Sequence, residues 1–121
     1  MMKVYEFSNP TERNGYCLFD DELERNPLVF FHATPKKNIE SIINNGFKFG
    51  PTLQSISYAN RSSSCLAHRG RSVAEDYAVF VVEFASLDNI KINPSDIHVY
   101  REDIQPIIKG YCIVPKEYIF S

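Results

Sequence analysis

Residues 2–7 set polar Lys3 and Glu6 among apolar Val4, Tyr5 and Phe7, the pattern of a half-exposed strand. Residues 8–15 are turn chemistry, closing on Asn14-Gly15, and residues 20–25 are too short and charged for more than one helical turn. Residues 28–31 are continuously apolar, which predicts a strand covered on both faces. The next segment predicts a helix: Thr34 can act as N-cap and Pro35 suits the first helical position. Ile39, Ile42 and Ile43 share one face at helical spacing, and Gly46 is a natural stop. Phe47 and Phe49 would then pin the helix exit to the core.

Residues 50–57 read as a loop and Ser57-Tyr58-Ala59 as a short strand or strand end. Residues 62–68 predict a weak helix, because serines prefer caps to interiors, and a second helical piece is expected over 72–76. Residues 77–84 form the clearest β segment, dense in β-branched and aromatic side chains. Short strands are expected at 90–92 and 97–100, separated by Asn93-Pro94, and 104–108 is open to either reading. Residues 110–114 followed by 117–120 read as terminal strand. Many short strands with two or three short helices inserted early predict an α+β domain whose core is a mixed or antiparallel split sheet.

With 121 residues, 44% apolar and 23% charged, the chain suits one domain, 1–121, able to build a core without metal or disulfide support. A net charge of −2 offers no global attraction to nucleic acid or acidic membranes, so any such binding must be local. Three distant cysteines (Cys17, Cys65, Cys112), no C-x-x-C and three histidines point to a reducing cytoplasm and no zinc site. No signal-like leader and no apolar run long enough for a bilayer are present.

Candidate chemistry starts at His32 and Thr34, a polar pair where a buried strand meets a helix. Each has a plain structural alternative: a core histidine satisfied by backbone, and a helix cap. Tyr58, followed by Asn60, Arg61 and three serines, could offer an aromatic face to a planar ligand. Glu117 stands in an otherwise apolar final segment. Pointing outward it guards an edge; pointing inward it needs a partner or a use.

In this order the motifs resemble the ADP-ribosyltransferase superfamily, in its diphtheria-toxin-like branch that includes the poly(ADP-ribose) polymerases. Phe30-Phe31-His32-Ala33-Thr34, Asn38 and Ile42-Ile43-Asn44-Asn45-Gly46-Phe47 are similar to the first motif, a strand ending His-Gly-Ser/Thr with a helix after it. Tyr58-Ala59 and the serine run to Ala67 look like the second, and Lys116-Glu117-Tyr118-Ile119-Phe120 like the third. The resemblance covers roughly residues 28–84 and 112–120. It implies NAD as co-substrate, with His32 on the adenosine ribose, Thr34 supporting it, the Ala33 backbone at the carboxamide and Tyr58 stacked on nicotinamide. Glu117 would bond the nicotinamide ribose and stabilise the oxocarbenium-like transition state. The implied activity is mono-ADP-ribosyl transfer to an unknown acceptor, protein or nucleic acid, with no metal and no membrane. Ala33 stands where the family has glycine, alanine follows Tyr58 where phenylalanine is usual, and Pro115 argues against an arginine-directed enzyme.

Three alternatives stay open. An RNA 2′-phosphotransferase-like enzyme would use the locally basic stretch Arg61 to Arg71. A binding-only module would keep the fold and hold NAD or ADP-ribose. A Cys/His hydrolase would need Cys65 or Cys112 as nucleophile, with His32 or His68 beside it.

Overall fold

The computed structural model describes residues 3–49, 55–69 and 74–118, and of residues 68 and 69 the backbone only. In chain order the elements are β1 (Lys3–Tyr5), α1 (Asp21–Glu24), β2 (Val29–Pro35), α2 (Ile39–Asn45), β3 (Ile56–Ala59), α3 (Ser62–Arg69), β4 (Tyr77–Glu83), β5 (Lys91–Ile92), β6 (Asp96–Val99) and β7 (Ile107–Val114). The strands form one mixed sheet in the order β1-β7-β4-β2-β3-β6-β5. Only β1 and β7 run parallel among these pairs. The protein is a small α+β fold, with three short α-helices among the described residues.

Continuous apolarity puts β2 and β4 at the centre, because both faces of these strands are covered. Val29, Phe31, Val79 and Val81 face one cluster, closed by Cys65 and Leu66 of α3 and by Leu18 and Phe19. Phe30, Phe80 and Val82 face the other, with Phe47, Tyr58 and Ile97. Phe19 stacks on Phe31 with ring centroids 5.4 Å apart, and Tyr5 meets Phe19 edge-on at 5.1 Å. The β4–β7 register shifts between Val81 and Val82, so Lys109 bulges out and its ammonium pairs with Glu83 at 3.0 Å.

The start of α3 is held from a distance. Asp20 caps α1 by accepting from the Leu23 amide, and this places Glu24 inward, only 5% exposed. The Glu24 carboxylate accepts from the amides of Phe19 and Ser62 and from the Ser62 hydroxyl. An anion at a helix N-terminus satisfies donors that the helix itself leaves unpaired.

Several expectations need correction. Thr34 does not cap the helix, because β2 runs on through Pro35 and a 3₁₀ turn, Lys36–Asn38, precedes α2. The register with β4 (Thr34 opposite Ala78, Pro35 opposite Tyr77) outweighs local cap chemistry. Ile43 is 39% exposed, so the buried stripe of α2 is Ile39 and Ile42 alone. β7 ends at Val114, and Lys116 and Glu117 lie in a turn, not a strand; residues 119 and 120 of the expected final strand lie outside the described residues. The loop expected at 50–57 lies outside the described residues up to 54, and Ile56 already belongs to β3. Ser72 of the expected helical piece also lies outside them; residues 74–76 are not helical. Among the described residues no helix is long and apolar enough to cross a membrane.

Candidate functional site

The sheet has one weak seam. β2 and β4 pair along seven residues, but β2 and β3 register only at Phe31 opposite Ala59. Past that point no further β2–β3 pair is registered, and His32, Ala33 and Thr34 lie on that stretch of β2. His32 Nδ1 reaches across to β3, donating to the Ser57 carbonyl oxygen at 3.0 Å. A carbonyl only accepts, so this contact fixes the hydrogen on Nδ1.

Three clefts follow one another along the seam. The middle one, about 250 Å³, is lined by His32, Ala33, Ser57, Ser64, Cys65 and Asp96 among others. On one side it adjoins a cleft of about 470 Å³ between α2 and β3, which shares His32 and Ser57 and adds Thr34, Asn38, Lys48 and His98. On the other side lies a cleft of about 460 Å³ that shares Asp96 and adds Arg25, Asn60, Arg61 and Asn93.

β6 supplies the charge. Ser57 pairs with His98 and Ala59 with Asp96, so Asp96 and His98 share one face of the strand while Ile97 and Val99 are buried beneath it. Asp96 Oδ1 accepts from Asn93 Nδ2 at 3.0 Å, and Oδ2 lies 3.3 Å from His98 Nε2. Its side chain is 34% exposed, open enough to meet a ligand and fixed by two neighbours. Thr34 is buried, and its hydroxyl accepts from Asn38 Nδ2 at 2.9 Å, tying the end of β2 to the turn before α2.

No protein-family model matches the chain, and no curated protein matches it. The site therefore stands on its own geometry.

His32, Ala33 and Thr34 come together as expected of neighbours on one strand, with His32 and Ala33 on the middle cleft and His32 and Thr34 on the α2 cleft. Tyr58 does not present a stacking face. It is 1% exposed, with His32, Phe47 and Phe84 rings packed around it at 5.2–5.5 Å. Alternation along β3 explains this: Ser57 and Ala59 take the open face, so Tyr58 takes the core. Its hydroxyl has no hydrogen-bond partner among the described residues, and burial pushes its pKa above the usual phenol range.

Glu117 is exposed in the turn after β7 and lines none of these clefts. β4 stands between β7 and β2, so the chain leads Glu117 away from the seam. The carboxylate that lines a cleft with His32 is Asp96. Its signal in sequence was the alternation Asp96-Ile97-His98-Val99, which marks two polar groups on one face of a strand.

The thiols are poor nucleophiles. Burial, with repulsion from Glu24, pushes Cys65 up to about 12, and burial pushes Cys112 up to about 11. A buried thiol held protonated does not attack, which removes support from the Cys/His hydrolase reading.

Proposed function

We propose that the protein is a mono-ADP-ribosyltransferase acting on NAD, with Asp96 in place of Glu117 as its carboxylate. The observation that supports this best is the meeting of His32, Ala33 and Asp96 around one small cleft where the β2–β3 pairing ends. The donor set suits a dinucleotide. The α2 cleft offers His32, Asn38, Ser41 and Lys48 to ribose hydroxyls and phosphate. The middle cleft offers Ser57 and Ser64 hydroxyls to a carboxamide. The two volumes lie within or near the range of small-molecule sites.

Asp96 would act electrostatically. Cleavage of the nicotinamide–ribose bond develops positive charge on the sugar, and a fixed anion beside it is worth more in the transition state than in the ground state. Asn93 and His98 hold that anion in place before the reaction, so little reorganisation is needed. Nicotinamide departs neutral, which removes the need for a general acid. Tyr58 has no part in this reading; its role is core packing.

The test is nicotinamide release from NAD by wild-type protein and two variants. Asp96→Asn should slow release by roughly 100-fold or more, and Glu117→Gln should leave it unchanged. Loss of activity in Glu117→Gln with normal turnover in Asp96→Asn would restore the carboxyl-terminal glutamate. An NAD-induced rise in melting temperature without any release would favour the binding-only module.

A further inference from the structure

Asp96 does not stand alone on β6: the ring of His98 lies against it, with Nε2 at 3.3 Å from Oδ2. A carboxylate only accepts, so the hydrogen of the neutral ring belongs on Nε2 and the lone pair on Nδ1. The His98 ring has no other polar partner among the described residues, and its side chain is 30% exposed. His32 differs, because its Nδ1 hydrogen is committed to the Ser57 carbonyl. Asn93 fixes the other oxygen of Asp96 at 3.0 Å, and the Tyr100 ring stacks beside His98 at 6.2 Å. The result is a carboxylate–imidazole pair held at both ends, with one basic nitrogen left over. A carboxylate that sets the tautomer of an imidazole also stabilises the imidazolium formed when the ring takes a proton.

Resting on the transferase reading above, we propose that His98 is the general base of the transfer and that the acceptor is a hydroxyl group, water being the smallest. His98 lines the α2 cleft and Asp96 the middle one, so the pair stands where the two clefts meet. With ribose and phosphate in the first and the carboxamide in the second, the bond to be broken crosses that boundary beside the pair. Ser57, which lines both clefts, stands opposite His98 in the β3–β6 register. The class of acceptor follows from charge. Lys91 is the partner of His98 on β5, is exposed and makes no ion pair among the described residues. Directly opposed residues share one face of a sheet, so an ammonium group beside His98 disfavours a guanidinium or ammonium acceptor. A hydroxyl arrives neutral and must shed a proton as its new bond forms, the step that an imidazole base serves.

The acceptor oxygen forms a bond to the anomeric carbon of the nicotinamide ribose. The bond from that carbon to the nicotinamide nitrogen breaks, and its electron pair leaves on the nitrogen and neutralises the ring's charge. The proton lost by the acceptor passes to His98 Nδ1. The imidazolium so formed lies against the Asp96 carboxylate until it returns the proton to water. Asp96 thus meets positive charge twice, first on the sugar and then on His98.

The experiment incubates the full chain with NAD in water, with methanol as added acceptor, and reads nicotinamide, ADP-ribose and methyl ADP-riboside by mass. The wild-type protein should form both sugar products. His98→Gln should lower kcat for both by roughly 100-fold while the KM for NAD moves by no more than about threefold. Added imidazole should restore part of the rate to His98→Ala. Nitrogen magnetic resonance of the labelled wild-type protein should find the hydrogen of the neutral His98 ring on Nε2, a reading that needs no variant. A hydrogen on Nδ1 overturns the proposal, as does an undiminished kcat in His98→Gln or a change in KM alone. Transfer to free arginine with none to water or methanol overturns it too. Each of these results leaves the transferase reading standing. Absence of nicotinamide release by the wild-type protein with every acceptor overturns the transferase reading itself, and the base with it.

Discussion

At the scale of single residues, polarity alone did not show that Tyr58 is buried or that Asp96 lines the cleft with His32. Tyr58 carries a hydroxyl into a packed aromatic cluster and finds no partner there among the described residues. An unmade hydrogen bond on a buried group costs about 1–3 kcal/mol. Tyr58→Phe should therefore leave stability unchanged or raise it by about 1 kcal/mol, measured by denaturant unfolding. A drop of that size would mean that the hydroxyl has a role which the packing does not disclose. The buried thiols give a second residue-scale prediction. Cys65 and Cys112 hold their protons to about 12 and about 11 in the fold, against 9.0 when unfolded. Above pH 9 the unfolded chain binds fewer protons than the folded one, so stability is complete below that pH and falls as pH rises toward 11 and 12. Cys65→Ala should make that alkaline decline shallower. An equally steep decline in the variant would show that this thiol does not contribute.

At the scale of elements, one glycine decides whether β1 can join the sheet. A Cβ at Gly110 would stand 2.3 Å from the Lys3 carbonyl oxygen and 2.7 Å from the Tyr5 ring. Neither the parallel pairing of Lys3 with Gly110 nor the turn of Tyr5 over it leaves room for a methyl group. Gly110→Ala should strip hydrogen-exchange protection from Lys3–Tyr5 while β2 and β4 keep theirs. Retained protection along β1 would show that the strand can shift outward without parting from β7. A comparable tie operates at the exit of α2, where Gly46 has φ +77° and Gln105 bonds both the amide and the carbonyl of Phe47. That tie keeps Phe47 against His32 and Tyr58, and so sets one wall of the α2 cleft.

At the scale of the whole molecule, the two apolar clusters share a single sheet and cannot come apart independently. Phe31 faces one cluster and Phe80 the other, and both are fully buried. Truncating either to alanine should cost about 3–5 kcal/mol, a large part of a small domain's stability. The two variants should each show one unfolding transition with coincident far- and near-ultraviolet signals. Separate transitions would mean that the faces fold as distinct units.

The sequence by itself determined where most of the chain would be extended or helical, because alternation and apolar runs are local signals. Residues 77–84, 28–31 and 62–68 come within a few positions of β4, β2 and α3. It also singled out His32, Ala33 and Thr34, which share one strand and so stay neighbours in any fold. What it could not determine was which carboxylate lines a cleft with them. Glu117 and Asp96 are both far from His32 along the chain, and strand order and register alone choose between them. Because β6 reaches β2 through β3, with Asp96 opposite Ala59 and Ala59 opposite Phe31, Asp96 comes to line a cleft with His32. Glu117, carried two strands away on the end of β7, does not.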